Sequence, residues 1–132
     1  MAVVMDPMFD RRKPFDEIPL YKHARLFGIK TYQLTSNVRF KADEVLSESL
    51  KKAIHDLFGY LSSGYDSRDR SNFKVSLLSA RDRISYIKGL IVLAFDLGYV
   101  NDIELEEGLK RCYELNELFL EAVNKLSTLS TN

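Results

Sequence analysis

Apolar residues recur along this chain at steps of three and four, the spacing of helix faces. The first such stretch, 20–36, places Leu20, Ala24, Phe27, Thr31 and Leu34 on one side. Pro19 stands at its start, where a missing N–H does no harm. The segment Ser36-Asn37-Val38-Arg39-Phe40 reads as a connection. A second helix is expected from Asp43 to Ser63, with Leu46, Leu50, Ala53, Ile54, Leu57, Phe58 and Leu61 inward. Asp43 and Glu44 suit the positive end of its dipole. Ser62-Ser63-Gly64 predicts its stop, since glycine suits a left-handed position after a helix. The third and longest helix, Ser67 to Leu97, spans about 45 Å. Ser67 or Asp69 caps it, Gly98 ends it, and Phe73, Leu77, Ala80, Ile84, Ile87 and Ile91 form its core stripe. The fourth runs from Asp102 to Leu126, with Asn101 and Glu104 at capping-box spacing.

On the fourth helix Leu105, Leu109, Cys112, Asn116, Phe119, Val123 and Leu126 form a heptad seam. Either Asn116 is its one polar member and fixes register, or the helix turns slightly and Leu115 and Leu118 take the core. Glu106–Lys110, Glu107–Arg111 and Glu121–Lys125 have the favourable order for ion pairs one turn apart. Four amphipathic helices with short connections predict an all-α, antiparallel up-down four-helix bundle. No strand pattern competes. All three prolines fall within the first 19 residues. The expected organisation is an extended N-terminal arm over 1–19, the bundle over 20–127 and a flexible polar tail over 128–132. Met5, Met8, Phe9, Phe15 and Ile18 are the arm's docking residues.

One stretch departs from amphipathicity. Leu90-Ile91-Val92-Leu93-Ala94-Phe95 is apolar on every face, and a helix apolar all round is buried all round. A 132-residue bundle does not readily cover every side of one of its own helices. Leu90, Val92, Leu93, Phe95, Leu97 and Tyr99 are therefore expected at a contact between copies of the chain. Cover by the N-terminal arm is the competing explanation.

Composition narrows the function. The length fits one domain, and 45% apolar with 29% charged residues excludes wholesale disorder. The single cysteine excludes an intrachain disulfide framework. No run is long enough to span a bilayer and no signal-peptide core opens the chain, so a reduced, cytoplasmic setting without membrane contact is expected. His23 and His55 lack metal-ligand spacing, no phosphate-binding glycine motif occurs, and Cys112 sits on an apolar seam as a small core residue. No nucleophile, base and oxyanion hole come together. The expectation is a protein that is not an enzyme and needs no cofactor or metal.

Charge changes the picture more. The chain is neutral overall, but residues 1–98 hold 16 Lys+Arg against 12 Asp+Glu, and residues 99–132 hold 3 against 7. On the third helix Arg70, Lys74, Arg81 and Lys88 recur at steps of four, seven and seven, which line one stripe. Arg68 and Arg83 lie off it, and Lys51 and Lys52 add charge on the second helix. These eight are the candidate phosphate contacts. A plain solvated face is the alternative, and Asp66, Asp69 and Asp82 nearby favour it.

The run Leu50-Lys51-Lys52-Ala53-Ile54, continuing to Leu61-Ser62-Ser63-Gly64-Tyr65, resembles the Leu-Arg-Arg-Ala … Asn-Ile-Ala-Glu-Gly-Tyr pattern of the bacterial four-helix-bundle proteins. That family includes proteins encoded in ribosomal-RNA intervening sequences and the accessory variability determinant (Avd) proteins of diversity-generating retroelements. The register continues through Arg70, Phe73, Leu77 and Ala80 to Ala94-Phe95-Asp96-Leu97-Gly98-Tyr99, similar to the family's Ala-x-x-Leu-Gly-Tyr. Leu20-Tyr21-Lys22-His23-Ala24 and the Phe40-x-x-Asp43 connection resemble the Avd side. The likeness covers roughly 18–126. Tyr60, Ser63 and Tyr86 stand where the family has Asn, Glu and Glu, and Avd proteins tend to be basic where this chain is neutral. The resemblance implies a protomer of a homopentameric barrel. It further implies a non-catalytic partner of a reverse transcriptase in mutagenic retrohoming, binding RNA or a DNA/RNA hybrid. An oligomeric protein-interaction scaffold of the intervening-sequence type, without direct nucleic-acid binding, is the other function it allows.

Overall fold

The computed structural model describes residues 18–67 and 69–129. Every regular element among them is a helix: α1 (Pro19–Leu34), α2 (Val38–Ala42), α3 (Glu44–Asp66), α4 (Arg70–Asp96) and α5 (Asp102–Leu129). α1, α3, α4 and α5 are the four helices the periodicity predicts. α2 begins inside the segment that reads as a connection and runs past its end to Ala42; five residues are too few to display a period. Met5, Met8, Phe9 and Phe15 of the expected arm, Arg68, and residues 130–132 lie outside the described residues. Ile18, the arm's last apolar residue, is fully buried. α5 continues through Ser127 and Thr128, where the sequence pattern places the end of the bundle and the start of the tail.

The N-termini of α3, α4 and α5 and the C-terminus of α4 follow local chemistry, and the C-terminus of α3 does not. Asp43 caps α3 by accepting from the Leu46 amide at 3.0 Å, and Asp69 caps α4 by accepting from Ser71 at 2.8 Å. Asn101 and Glu104 form the expected capping box, each side chain taking the other's amide at 2.8 and 2.9 Å. α4 ends at Gly98, whose φ of +78° lets the Tyr99 amide reach Ala94 O at 2.8 Å and its own amide reach Phe95 O at 2.9 Å. That left-handed turn is open to glycine and strained for other residues.

Gly64 is the exception. α3 does not stop there but runs on to Asp66. A Cβ on Gly64 would lie 2.6 Å from the Ser76 Cβ of α4. The glycine is present so that two helices can approach, not to break one.

α4 packs along both α3 and α5, and α1 lies more sparsely against α5 and α3. Neighbours run in opposite directions. Gly64 faces Phe73 and Ser76 across α3/α4, and Gly108 faces Ile91 across α4/α5. Leu126 at the far end of α5 shares a cleft with Lys74 at the start of α4. The predicted α4 stripe, Phe73 to Ile91, is buried throughout. On α5 the two alternatives meet halfway: Leu115 is buried, while Asn116 and Leu118 are both half-buried. Asn116 Oδ1 is covered with no hydrogen-bond partner.

The α1–α3 connection is tied to the α4–α5 turn by polar contacts. Asn37 Nδ2 donates to Tyr99 O at 3.1 Å and to the Glu104 carboxylate at 3.1 and 3.2 Å. Arg39 donates to Gly98 O at 3.2 Å, and the Tyr99 hydroxyl donates to Asp43 Oδ2 at 2.9 Å. That bond, with partial burial, raises the Tyr99 phenol above its ordinary range, against the opposing pull of Arg39.

Candidate nucleic-acid interface

A residue advances about 100° around a helix, so Arg70, Lys74, Arg81 and Lys88 fall within about 40° of one another on α4. This stripe borders α5. Arg70 and Lys74 line a cleft with Val75, Leu78 and the α5 residue Leu126. Farther along, Lys88 lies close enough to act electrostatically on the Cys112 thiol of α5. The four predicted cations therefore share one groove, between α4 and α5.

The other predicted contacts go elsewhere. Arg83 lies about 160° around α4 from Arg81, with its guanidinium 5.2 Å from the Tyr86 ring centroid. Lys52 is paired with Asp56 at 3.1 Å. Lys51 stands 5.5 Å from the Tyr32 ring centroid and 3.9 Å from Glu48. These three do not extend the stripe.

Ion pairing separates Lys74, Arg81 and Lys88 from Lys51 and Lys52 of α3 and from the cations of α5. On α5, Lys110, Arg111 and Lys125 pair with Glu114, Glu107 and Glu121 at 4.0, 3.9 and 3.4 Å. Lys110 thus turns toward Glu114, not toward Glu106 as the sequence order suggests. Among the described residues Lys74, Arg81 and Lys88 have no carboxylate within ion-pair distance. Arg81 is half-buried, and its Nε is covered without a hydrogen-bond partner. A cation that has lost part of its hydration and gained no counter-charge strongly favours an arriving anion.

The expected contact between copies resolves into inner and outer residues. Leu90 belongs to the core, and Phe95 and Tyr99 pack partly against it. Val92, Leu93 and Leu97 face outward, 39%, 45% and 42% exposed. Leu78 and Tyr86 extend apolar exposure along the same helix.

Elsewhere, a cleft of about 310 Å³ between α1 and α5 is lined by His23, Leu26, Phe27, Arg111, Glu114, Leu115 and Leu118. His55 stacks on Tyr32 with 6.0 Å between ring centroids. The Cys112 thiol is buried, which pushes its pKa up to about 12 against the opposing pull of Arg111 and Lys88. At neutral pH it is a protonated packing group, a poor nucleophile. No group of three or more His, Cys, Asp or Glu among the described residues is placed to hold a metal ion, and no described helix is long and apolar enough to cross a membrane. Comparison with family models, curated proteins and solved structures finds no match.

Proposed function

We propose that this chain is a non-catalytic, oligomeric four-helix-bundle protein that binds nucleic acid as an Avd-like accessory to a reverse transcriptase. The observation that carries the reading is the groove between α4 and α5, where Lys74, Arg81 and Lys88 lack internal counter-charges among the described residues. α1, α3, α4 and α5 supply the four helices of the bundle, with α2 as part of its first connection. The resemblance in motif order supports the accessory role and the homopentamer. The outward Val92, Leu93 and Leu97 support self-association, since exposed apolar patches on a small domain mark contact surfaces. In a ring, each protomer's stripe adds to a common positive field.

The test is binding of structured RNA and of a DNA/RNA hybrid across a salt series. Binding should weaken steeply with salt, because phosphate contacts release counterions. Lys74→Glu and Lys88→Glu together should reduce affinity about tenfold or more at low salt, with helical content unchanged. No binding at low salt, or binding indifferent to both changes, would falsify the reading.

The pairing of Lys51 and Lys52 within their own helix favours a second reading, a protein-interaction scaffold whose charged faces are solvated. It predicts co-purification with a reverse transcriptase free of nucleic acid.

A further inference from the structure

The α4/α5 groove carries one feature that phosphate binding alone does not use. Tyr113 of α5 is 66% exposed, and it makes no hydrogen bond, ring stack or cation contact among the described residues. Its place follows from helix geometry. Arg111, Glu114 and Leu118 form the side of α5 that faces α1. Leu109, Tyr113, Asn116 and Leu120 lie together on the other flank, within about 60° of one another. That flank adjoins α4. Its height follows from the contacts across α4/α5: Gly108 meets Ile91, Cys112 feels Lys88 and Leu126 meets Lys74. Tyr113 therefore stands within a turn of Lys88, across the groove from it.

The rims of this groove complement each other. On α4 they are cationic, with exposed Leu78 between Lys74 and Arg81. On α5 the flank carries Tyr113 with half-buried Leu109 and Leu120 beside it, together with the half-buried Asn116 and the exposed Glu106 and Glu117. Lys74, Arg81 and Lys88 follow one another at about 10.5 Å, a spacing that tracks a backbone over several nucleotides. A positive track beside an aromatic platform is the arrangement that holds unpaired bases. A duplex fits it poorly. α4 is packed by α3 on one side and α5 on the other, so it cannot enter a major groove about 12 Å wide. Paired bases, moreover, offer no free face to a tyrosine.

We infer that the α4/α5 groove takes single-stranded nucleic acid, with its phosphates on Lys74, Arg81 and Lys88 and a base stacked on Tyr113. The inference rests on the nucleic-acid-binding reading above and names the form of nucleic acid bound.

The experiment measures fluorescence anisotropy of labelled oligo(rU), oligo(dT), an RNA hairpin and a DNA/RNA hybrid with the full chain. Tyr113→Ala, Tyr113→Phe and Lys88→Glu are measured beside the natural sequence. Both single strands should bind about tenfold or more tighter than either duplex. Tyr113→Ala should lose about tenfold on the single strands and nothing on the duplexes, while Tyr113→Phe keeps full affinity. The salt slope should be unchanged in Tyr113→Ala and shallower in Lys88→Glu. A preference of RNA over DNA strands, or none, identifies which single strand the groove serves, and either result supports it. Equal affinity for duplex and strand, or full affinity in Tyr113→Ala while Lys88→Glu binds weakly, overturns this inference and leaves the broader function standing. Absence of binding to all four probes overturns both.

Discussion

Single residues in this protein do different work according to what stands across from them. Cys112 shows it through protonation. Its thiol, ordinarily near 9.0, is pushed up to about 12 by burial. In the unfolded chain the thiol loses its proton once pH passes 9.0, while in the folded chain it stays protonated until about 12. The folded state then binds more protons than the unfolded one, so stability falls as pH rises through this window. Between pH 9 and pH 10.5 the thiol's share of that loss is about 1–2 kcal/mol. The thiol is isolated by difference. Urea unfolding of the natural chain and of Cys112→Ala across this range should show the natural chain losing more. Parallel pH profiles would remove the buried-thiol account.

Helices are the most legible level of this chain. The inward stripes of α1, α3 and α4 are visible in the sequence because burial on one side imposes a 3.6-residue period. Ends are legible where the signal is local, as at Asp43, Asn101 and Gly98. Gly64 misleads because its reason lies in another helix: the Ser76 Cβ of α4 is 2.6 Å from where its own Cβ would be. The same limit governs the candidate groove. The stripe of four cations, and the place of Arg83 off it, are readable from spacing, but the ion pairs that occupy Lys51 and Lys52 are seen only in the structure. Tyr113 carries no sequence signal, since an exposed tyrosine is ordinary until the helix beside it is known.

Two glycines of α3 turn this into a measurable contrast. Alanine gains up to about 1 kcal/mol over glycine in a helix interior. A methyl group added at Gly59 would meet nothing within 4 Å beyond its chain neighbours and its own helix backbone, so Gly59→Ala should stabilise by about 0.5–1 kcal/mol. At Gly64 the same gain is opposed by overpacking, which costs about 1–3 kcal/mol. Gly64→Ala should therefore destabilise by up to about 2 kcal/mol. Urea midpoints of the two variants should move in opposite directions. A shift of the same sign in both would mean that α3 and α4 do not approach at Gly64 as described.

At the scale of the whole molecule, α4 divides its surroundings unequally. Its inner face is covered by α3 and α5, its flank toward α5 carries unpaired cations, and Val92, Leu93 and Leu97 are left about two-fifths exposed. Burial of such side chains is worth about 25 cal/mol per Å², a gain a protomer obtains only by meeting a second surface. A copy of the same chain would supply one at no sequence cost, and in the proposed ring it would repeat the basic groove at fixed intervals. On the proposed function, self-association and nucleic-acid binding are coupled. Leu93→Glu with Leu97→Glu places two charges on the outer face and touches none of the groove cations. By light scattering the natural chain should exceed its 15.2 kDa protomer mass, and the double variant should fall to it with unchanged helical content. The variant should also bind long nucleic acid more weakly than the natural chain while binding short oligonucleotides equally, because only the long ligand engages several grooves at once. A natural chain that stays at the protomer mass at every concentration would separate the apolar face from any role in assembly and leave each groove to act alone.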